Sequence, residues 1–256
     1  MQFATKRQLI VSVIVFAALL IPISILVYIE FPKATCEDNR QNQGEEDVDC
    51  GGPSCVPCAL KHPEDMRVFW ARFTEFRSGQ YDAVAEIRNP NLKLGASQFE
   101  YEFTFYDEAG LKVANRQGRS FMYPGELMHV VEPNIVISRK LSRVTFQITS
   151  IQWIYTDVII PDVVVGDRKL SSDLRRKETV LEAELANRSF SDFPEVFVSA
   201  FVYDKTGTIT AVSRVRETNV RSGESRKIYF AWPSVISEDR VSVTTETRVN
   251  TLPMVR

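Results

Sequence analysis

The sequence predicts a mainly β protein with an N-terminal transmembrane helix, a small disulfide-stapled loop module and two tandem antiparallel β-sandwiches. Three observations predict it. Residues 9–29 form an uncharged apolar run. All four cysteines lie between Cys36 and Cys58. From residue 66 onward, short runs alternate apolar and polar residues, and the landmarks of 66–150 return in 163–249 at a nearly constant offset.

The apolar run Leu9–Ile29 reads LIVSVIVFAALLIPISILVYI. About 20 such residues cross a hydrocarbon core of ~30 Å as a helix. Pro22 lies inside it, and membrane helices tolerate proline because neighbouring groups satisfy the freed carbonyl. The run exceeds the ~7–15 apolar residues of a cleavable signal peptide, and EFPKATC offers no small-residue cleavage site. The expectation is therefore an uncleaved anchor held by membrane lipid. Lys6 and Arg7 precede the helix, while Glu30 and Lys33 follow it. Positive charge stays inside. This predicts a cytoplasmic tail over 1–8, a span over 9–29, and a periplasmic or extracellular remainder over 30–256. The formal net charge of −2 leaves no electrostatic footprint for nucleic acid.

Residues 30–65 carry the cysteines. Outside the cytoplasm thiols oxidise, so Cys36, Cys50, Cys55 and Cys58 are expected in two disulfides. A Cys55–Cys58 bridge would close a very tight loop, which leaves two connectivities favoured. Zinc is the first rival, but only one C-x-x-C half-site is present. Redox chemistry is the second, but Gly51-Gly52-Pro53 and Lys61-His62-Pro63 flank the C-x-x-C where a strand and a helix are needed. Calcium can coexist with the bridges. Asp38, Asn42, Asp47 and Asp49 are hard oxygen donors in a short loop, although their spacing departs from the EF-hand pattern. A structural calcium is the one cofactor the sequence raises, against the plainer reading of a solvated acidic turn.

This stretch resembles a short motif of bacterial secreted and surface proteins, C-x-D-G-x-x-N-x-x-E-x-D-V-D-C-G-G-x-x-C-x-x-C. Cys36, Asp38, Asn42, Glu45, Asp47, Val48, Asp49, Cys50, Gly51, Gly52, Cys55 and Cys58 match it, and Asn39 stands where the motif has glycine. The resemblance implies an exported module and supplies no activity.

The remainder repeats. Asn89 falls on Asn187, Tyr106-Asp107 on Tyr203-Asp204, Gly110 on Gly207, Gly125-Glu126 on Gly223-Glu224, and Arg143-Val144 on Arg240-Val241. The offset stays at 97 or 98 (187 − 89, 203 − 106), so the chain reads as a duplicated unit of roughly 90 residues. Phe99, Tyr101, Phe103 and Phe105 alternate with polar residues, and Val196, Val198, Ala200 and Val202 hold the same parity in the second copy. Asp107–Gly110 and Asp204–Gly207 are D-x-x-G corners, in which aspartate caps the turn and glycine takes the left-handed angles. About seven strands per copy are expected, with turns every 8–12 residues. Domains are placed at 66–156 and 157–249, with a tail over 250–256. Asp157–Asp162, carrying Pro161, reads as a connector between two independently stable sandwiches.

Each unit resembles the bacterial FxLYD-type immunoglobulin-like domain. The naming motif stands as Phe103-Thr104-Phe105-Tyr106-Asp107, and in the second copy as Ala200-Phe201-Val202-Tyr203-Asp204. The leucine is replaced in both, and the first phenylalanine in the second. The resemblance implies immunoglobulin-like sandwiches whose motif residues build a core and a corner, and it carries over no catalytic residue.

Catalytic chemistry finds few carriers. The two histidines, His62 and His129, have no nucleophile or carboxylate beside them in sequence and are expected at the surface. Asp107 and Asp204 belong to separate domains and read as turn caps. Asn187-Arg188-Ser189 is a glycosylation sequon that aligns with Asn89-Pro90, so Asn187 reads as a turn residue. Trp70, Trp153 and Trp232 are expected in cores or at a domain junction. No phosphate loop, cofactor fingerprint or small-molecule site is evident. The sequence thus points to a non-catalytic interaction protein of the cell envelope with a protein partner. A structural stalk or assembly subunit is the alternative, and a thiol or hydrolytic enzyme ranks last.

Overall fold

The computed structural model describes residues 2–30, 36–42, 44–237 and 241–253. Lys33, Arg240 and residues 254–256 of the predicted tail lie outside them. The chain divides into two compact units, Met1–Lys61 and His62–Arg256.

In the first unit α1 (Gln2–Glu30) runs unbroken through Pro22, so the predicted tail is helical from Gln2. Its segment Lys6–Leu26 has a mean hydropathy of 3.0 with no side chain buried by protein. That is long and apolar enough to span a membrane. The loop module follows and ends in the single-turn α2 (Cys58–Lys61). Two disulfides staple it, Cys36–Cys55 and Cys50–Cys58. This is one of the two connectivities that avoid the tight Cys55–Cys58 loop.

The second unit is antiparallel β throughout. Its first half is β1 (Arg67–Arg77), β2 (Gln80–Arg88), β3 (Leu94–Asp107), β4 (Lys112–Met122), β5 (Leu127–Val136) and β6 (Leu141–Tyr155). The second half is β7 (Val163–Asp173), β8 (Glu178–Asn187), β9 (Phe193–Asp204), β10 (Ile209–Val220), β11 (Ser225–Trp232) and β12 (Val241–Arg248). Six strands per half are described where about seven were expected. The sheets are β1-β2-β5 with β4-β3-β6, then β11-β8-β7 with β10-β9-β12. The strand order is the same in both halves.

Period two decides what fills each sandwich. Phe99, Tyr101, Phe103 and Phe105 face Ala83, Ala85 and Ile87 in the first core. Val196, Val198, Ala200 and Val202 face Leu181, Ala183 and Leu185 in the second, with Trp232. Phe105 and Val202 are both fully buried, and removing such a phenylalanine costs about 3–5 kcal/mol.

A third apolar cluster joins the two sandwiches, which the sequence pattern alone sets apart. Val84 and Val131 of the first sandwich pack on Phe201, Ile209 and Val212 of the second, with Trp70 and Tyr203 at the margin. These side chains occupy the outward faces of sheets β1-β2-β5 and β10-β9-β12, which therefore stack face to face. Two strands are consequently buried on both sides, and each shows an unbroken buried run, Tyr81–Ala85 in β2 and Val198–Val202 in β9. A one-sided strand would alternate. Pro161 interrupts strand pairing as expected, yet the sandwiches on either side of the connector share a buried interface.

Candidate functional site at the junction of the sandwiches

The turns use the predicted residues as local scaffolding. Asp107 Oδ1 accepts the amides of Ala109 and Leu111 at 3.0 and 2.9 Å, and its Oδ2 accepts Arg139 Nη1 at 2.9 Å. Asp204 Oδ1 accepts the amides of Thr206 and Thr208 at 2.8 and 3.0 Å. The Leu111 amide first holds the Asp107 carboxyl below the usual range, and the Thr206 hydroxyl, then the Thr208 amide, does the same for Asp204. Gly110 and Gly207 have φ of 76° and 78°, where a β-carbon would be strained. Asn89 Nδ2 donates to the carbonyls of Leu94 and Tyr123, and Asn187 Nδ2 to those of Ser191 and Arg221. Both asparagines are buried, so the sequon amide is committed to the fold. Tyr106 lies under the Arg143 guanidinium, 4.1 Å from its ring centre.

The junction gathers side chains that were distant in sequence. His129, expected at the surface, has an 11 % exposed side chain. It lies on β5 between Trp70 and Phe201, with ring centres at 5.4 and 4.8 Å. Nδ1 is 2.5 Å from Glu246 Oε1, and Nε2 is 3.4 Å from Glu86 Oε2. A histidine on an outward sheet face is buried here because the second sandwich covers that face. Beside it, Arg248 of β12 pairs with Glu126 and donates to the Phe121 carbonyl, both sides of the ion pair being nearly buried. Burial pushes the Glu126 carboxyl up, and this outweighs the opposing pull of the guanidinium. Past β12 the chain straps onto the first sandwich. Tyr123 Oη donates to the Val249 carbonyl at 2.6 Å, and Leu252 is buried near Gly95.

Between the β4–β5 margin and the β10-β9-β12 sheet lies a cleft of about 270 Å³. Arg119, Arg214 and Arg248 line it against Glu132. Tyr101 crosses from the core to reach it, its hydroxyl donating to Glu132 Oε1 at 2.7 Å. Burial raises the Tyr101 phenol, and the Glu132 charge adds to it. A β-carbon on Gly118 would sit 2.4 Å from the Tyr101 ring, so only glycine leaves room for that crossing. On the outer face of the β4-β3-β6 sheet, Gln117, Asn115 and Thr104 pull the Glu102 carboxyl down to about 2. Of the tryptophans, Trp232 is in the second core, Trp153 packs against the first, and Trp70 is at the junction.

In the loop module the predicted oxygen donors cap backbone amides. Asp49 Oδ1 and Oδ2 accept the Asn39 amide at 2.9 and 3.1 Å, with Lys61 Nζ 3.7 Å from Oδ2. Asp38 Oδ1 accepts the Arg40 amide and its Oδ2 accepts Asn42 Nδ2. Asp47 Oδ1 accepts the Val48 amide. Asn39, in the glycine position of the motif, takes a φ of 58°, a region asparagine tolerates. A second grouping joins Glu45 to Cys36 and Cys55, but those sulfurs are bonded to each other and offer no thiolate.

No protein-family model matches the chain, and no curated protein matches it. Among solved structures, the crystal structure of calcium binding domain CBD12 of CALX1.1 is similar at 12 % identity, covering 71 % of this chain and 81 % of that one, with a TM-score of 0.20.

Proposed function

We propose that this chain is a single-pass, membrane-anchored interaction protein of the cell envelope, non-catalytic, whose stacked sandwiches face the extracytoplasmic side and hold a protein partner. One observation carries the reading. The chemically capable buried groups described above are engaged in turns and in the junction: Asp107, Asn89 and Asn187 in corners, His129, Glu126 and Arg248 between the sandwiches. What remains is a rigid surface of strand edges and loops, the equipment of a binding module. The anchor supports the location, Lys6 and Arg7 support the orientation, and the two disulfides fit an oxidising compartment. The shared strand order supports reading the sandwiches as copies of one FxLYD-like unit.

The test is capture from envelope membranes with the full chain in mild detergent. One stoichiometric protein recovered with the wild type supports the reading. Capture of nothing, with an envelope that loses mechanical integrity when the chain is removed, favours the stalk alternative, which the shared apolar junction also suits. For the loop module, calcium stays within the proposal, drawing on Asp38, Asn42, Asp47 and Asp49. Asn42 Oδ1 is a buried oxygen left without a hydrogen bond among the described residues. A melting temperature raised by millimolar calcium and restored by chelator supports it, and no response removes it.

A further inference from the structure

We infer that the cleft between the free edge of β4 and the β10-β9-β12 sheet is the docking site for an extended acidic peptide segment of a protein partner. This rests on the protein-binding reading above and names its place and chemistry.

Three features converge. The first is the edge. Strand β4 pairs with β3 alone among the described strands, and an unpaired edge accepts an extended chain through main-chain hydrogen bonds. Its residues Gly118–Phe121 form one wall of the cleft, and of these the Phe121 carbonyl already accepts Arg248.

The second is charge. Three arginines line the cleft against one glutamate, whose carboxylate already accepts the Tyr101 hydroxyl. Arg248 is committed to Glu126. Arg119 pairs with Glu100 at 3.0 Å, but both are well exposed, and such pairs exchange readily because they are worth only about 0–1 kcal/mol. Arg214 donates one Nη1 hydrogen bond to the Val131 carbonyl at 3.1 Å and has no carboxylate in ion-pair reach among the described residues. A guanidinium carries five donors in a fork that fits a carboxylate, so Arg214 presents its remaining donors to an acid.

The third is the apolar backing. Arg214 lies over Phe197 at 5.6 Å and Arg248 over Phe121 at 4.3 Å. In an extended ligand alternate side chains point the same way. An acid aimed at Arg214 therefore brings its second neighbours onto these rings. Phosphate-bearing ligands are a poorer match, since the edge asks for a peptide backbone.

The test uses the full chain in detergent micelles and a fluorescent peptide of roughly ten residues alternating glutamate and valine, beside its glutamine counterpart, followed by anisotropy at ionic strength of about 0.1 M. Saturable binding of the glutamate peptide, weakened about tenfold or more by the glutamine exchange and again by Arg214→Glu, is expected. Lys227→Glu, on the opposite sheet of the second sandwich, should leave binding unchanged. Should Arg214→Glu fail to fold, Arg214→Gln keeps a donor for Val131 and should weaken binding in the same direction. Equal binding of the two peptides, equal loss with Lys227→Glu, or full binding by the Arg214 variants overturns the inference. An envelope partner still captured by Arg214→Glu overturns this site while leaving the protein-binding reading in place.

Discussion

Glu246 holds His129 twice across the junction: its Oε2 accepts the His129 amide at 3.2 Å, and its Oε1 lies 2.5 Å from the imidazole Nδ1. The residues are 117 positions apart and belong to different sandwiches. With the apolar cluster of Val84, Val131 and Phe201 beside it, this contact ties two β-sandwiches into one unit.

Glu246→Ala leaves the His129 amide and Nδ1 without their partner in a largely covered site, while Nε2 keeps Glu86. The loss should be about 2 kcal/mol, read as a lower denaturant midpoint at unchanged secondary structure. A variant as stable as wild type would mean the contact contributes nothing to the junction.

Asp82 governs a pH dependence. Burial pushes its carboxyl up to about 6, against the opposing effect of the Asn134 amide it accepts at 2.9 Å. A raised folded-state value means the contribution is fully present below the unfolded carboxyl's range near 4 and is lost as pH rises through about 6. Asp82→Asn should therefore raise stability by about 2 kcal/mol at pH 7.5 and change little at pH 4. Melting curves at the two pH values check this. An equal effect at both would show that the carboxyl is not strained by burial.

The corners of both halves and the parity of both cores were legible because their signals are local. A D-x-x-G tetrapeptide contains its own cap and its own left-handed residue, and alternation over five positions settles which face Phe105 or Val202 occupies. The junction was not legible from period two, since Val84, Phe201 and His129 stand on faces that a single sandwich leaves to solvent. One trace was present. The near-continuous apolar runs around Tyr81–Ala85 and Val198–Val202 mark strands covered on both sides. The cleft had no such trace, because Arg119, Arg214 and Glu132 meet only after two sheets stack.

The asparagine pair gives a matched test of the two halves. Asn89→Ala strands the carbonyls of Leu94 and Tyr123, and Asn187→Ala those of Ser191 and Arg221. Each should lose about 1–3 kcal/mol, the range for buried polar groups left unpaired. Chemical denaturation compares them, and a neutral result at either position would deny that its corner depends on the side-chain amide.

Both bridges of the loop module should be formed in the native chain, so a thiol reagent should find no reactive sulfur before reduction. Cys50→Ala should cost about 2–5 kcal/mol within that small module. Limited proteolysis should then cut between residues 30 and 65 and leave the sandwiches intact. Four reactive thiols in the native protein would remove the staple from the account.

Calorimetry of the full chain with Phe105→Ala asks whether the two sandwiches stand as one body behind the binding surface. Phe105 lies in the first core, not in the junction. One body gives a single β-unit transition in the wild type that moves down as a whole in the variant, with the second sandwich losing its transition along with the first. Two separate transitions, with only one displaced by Phe105→Ala, would contradict it.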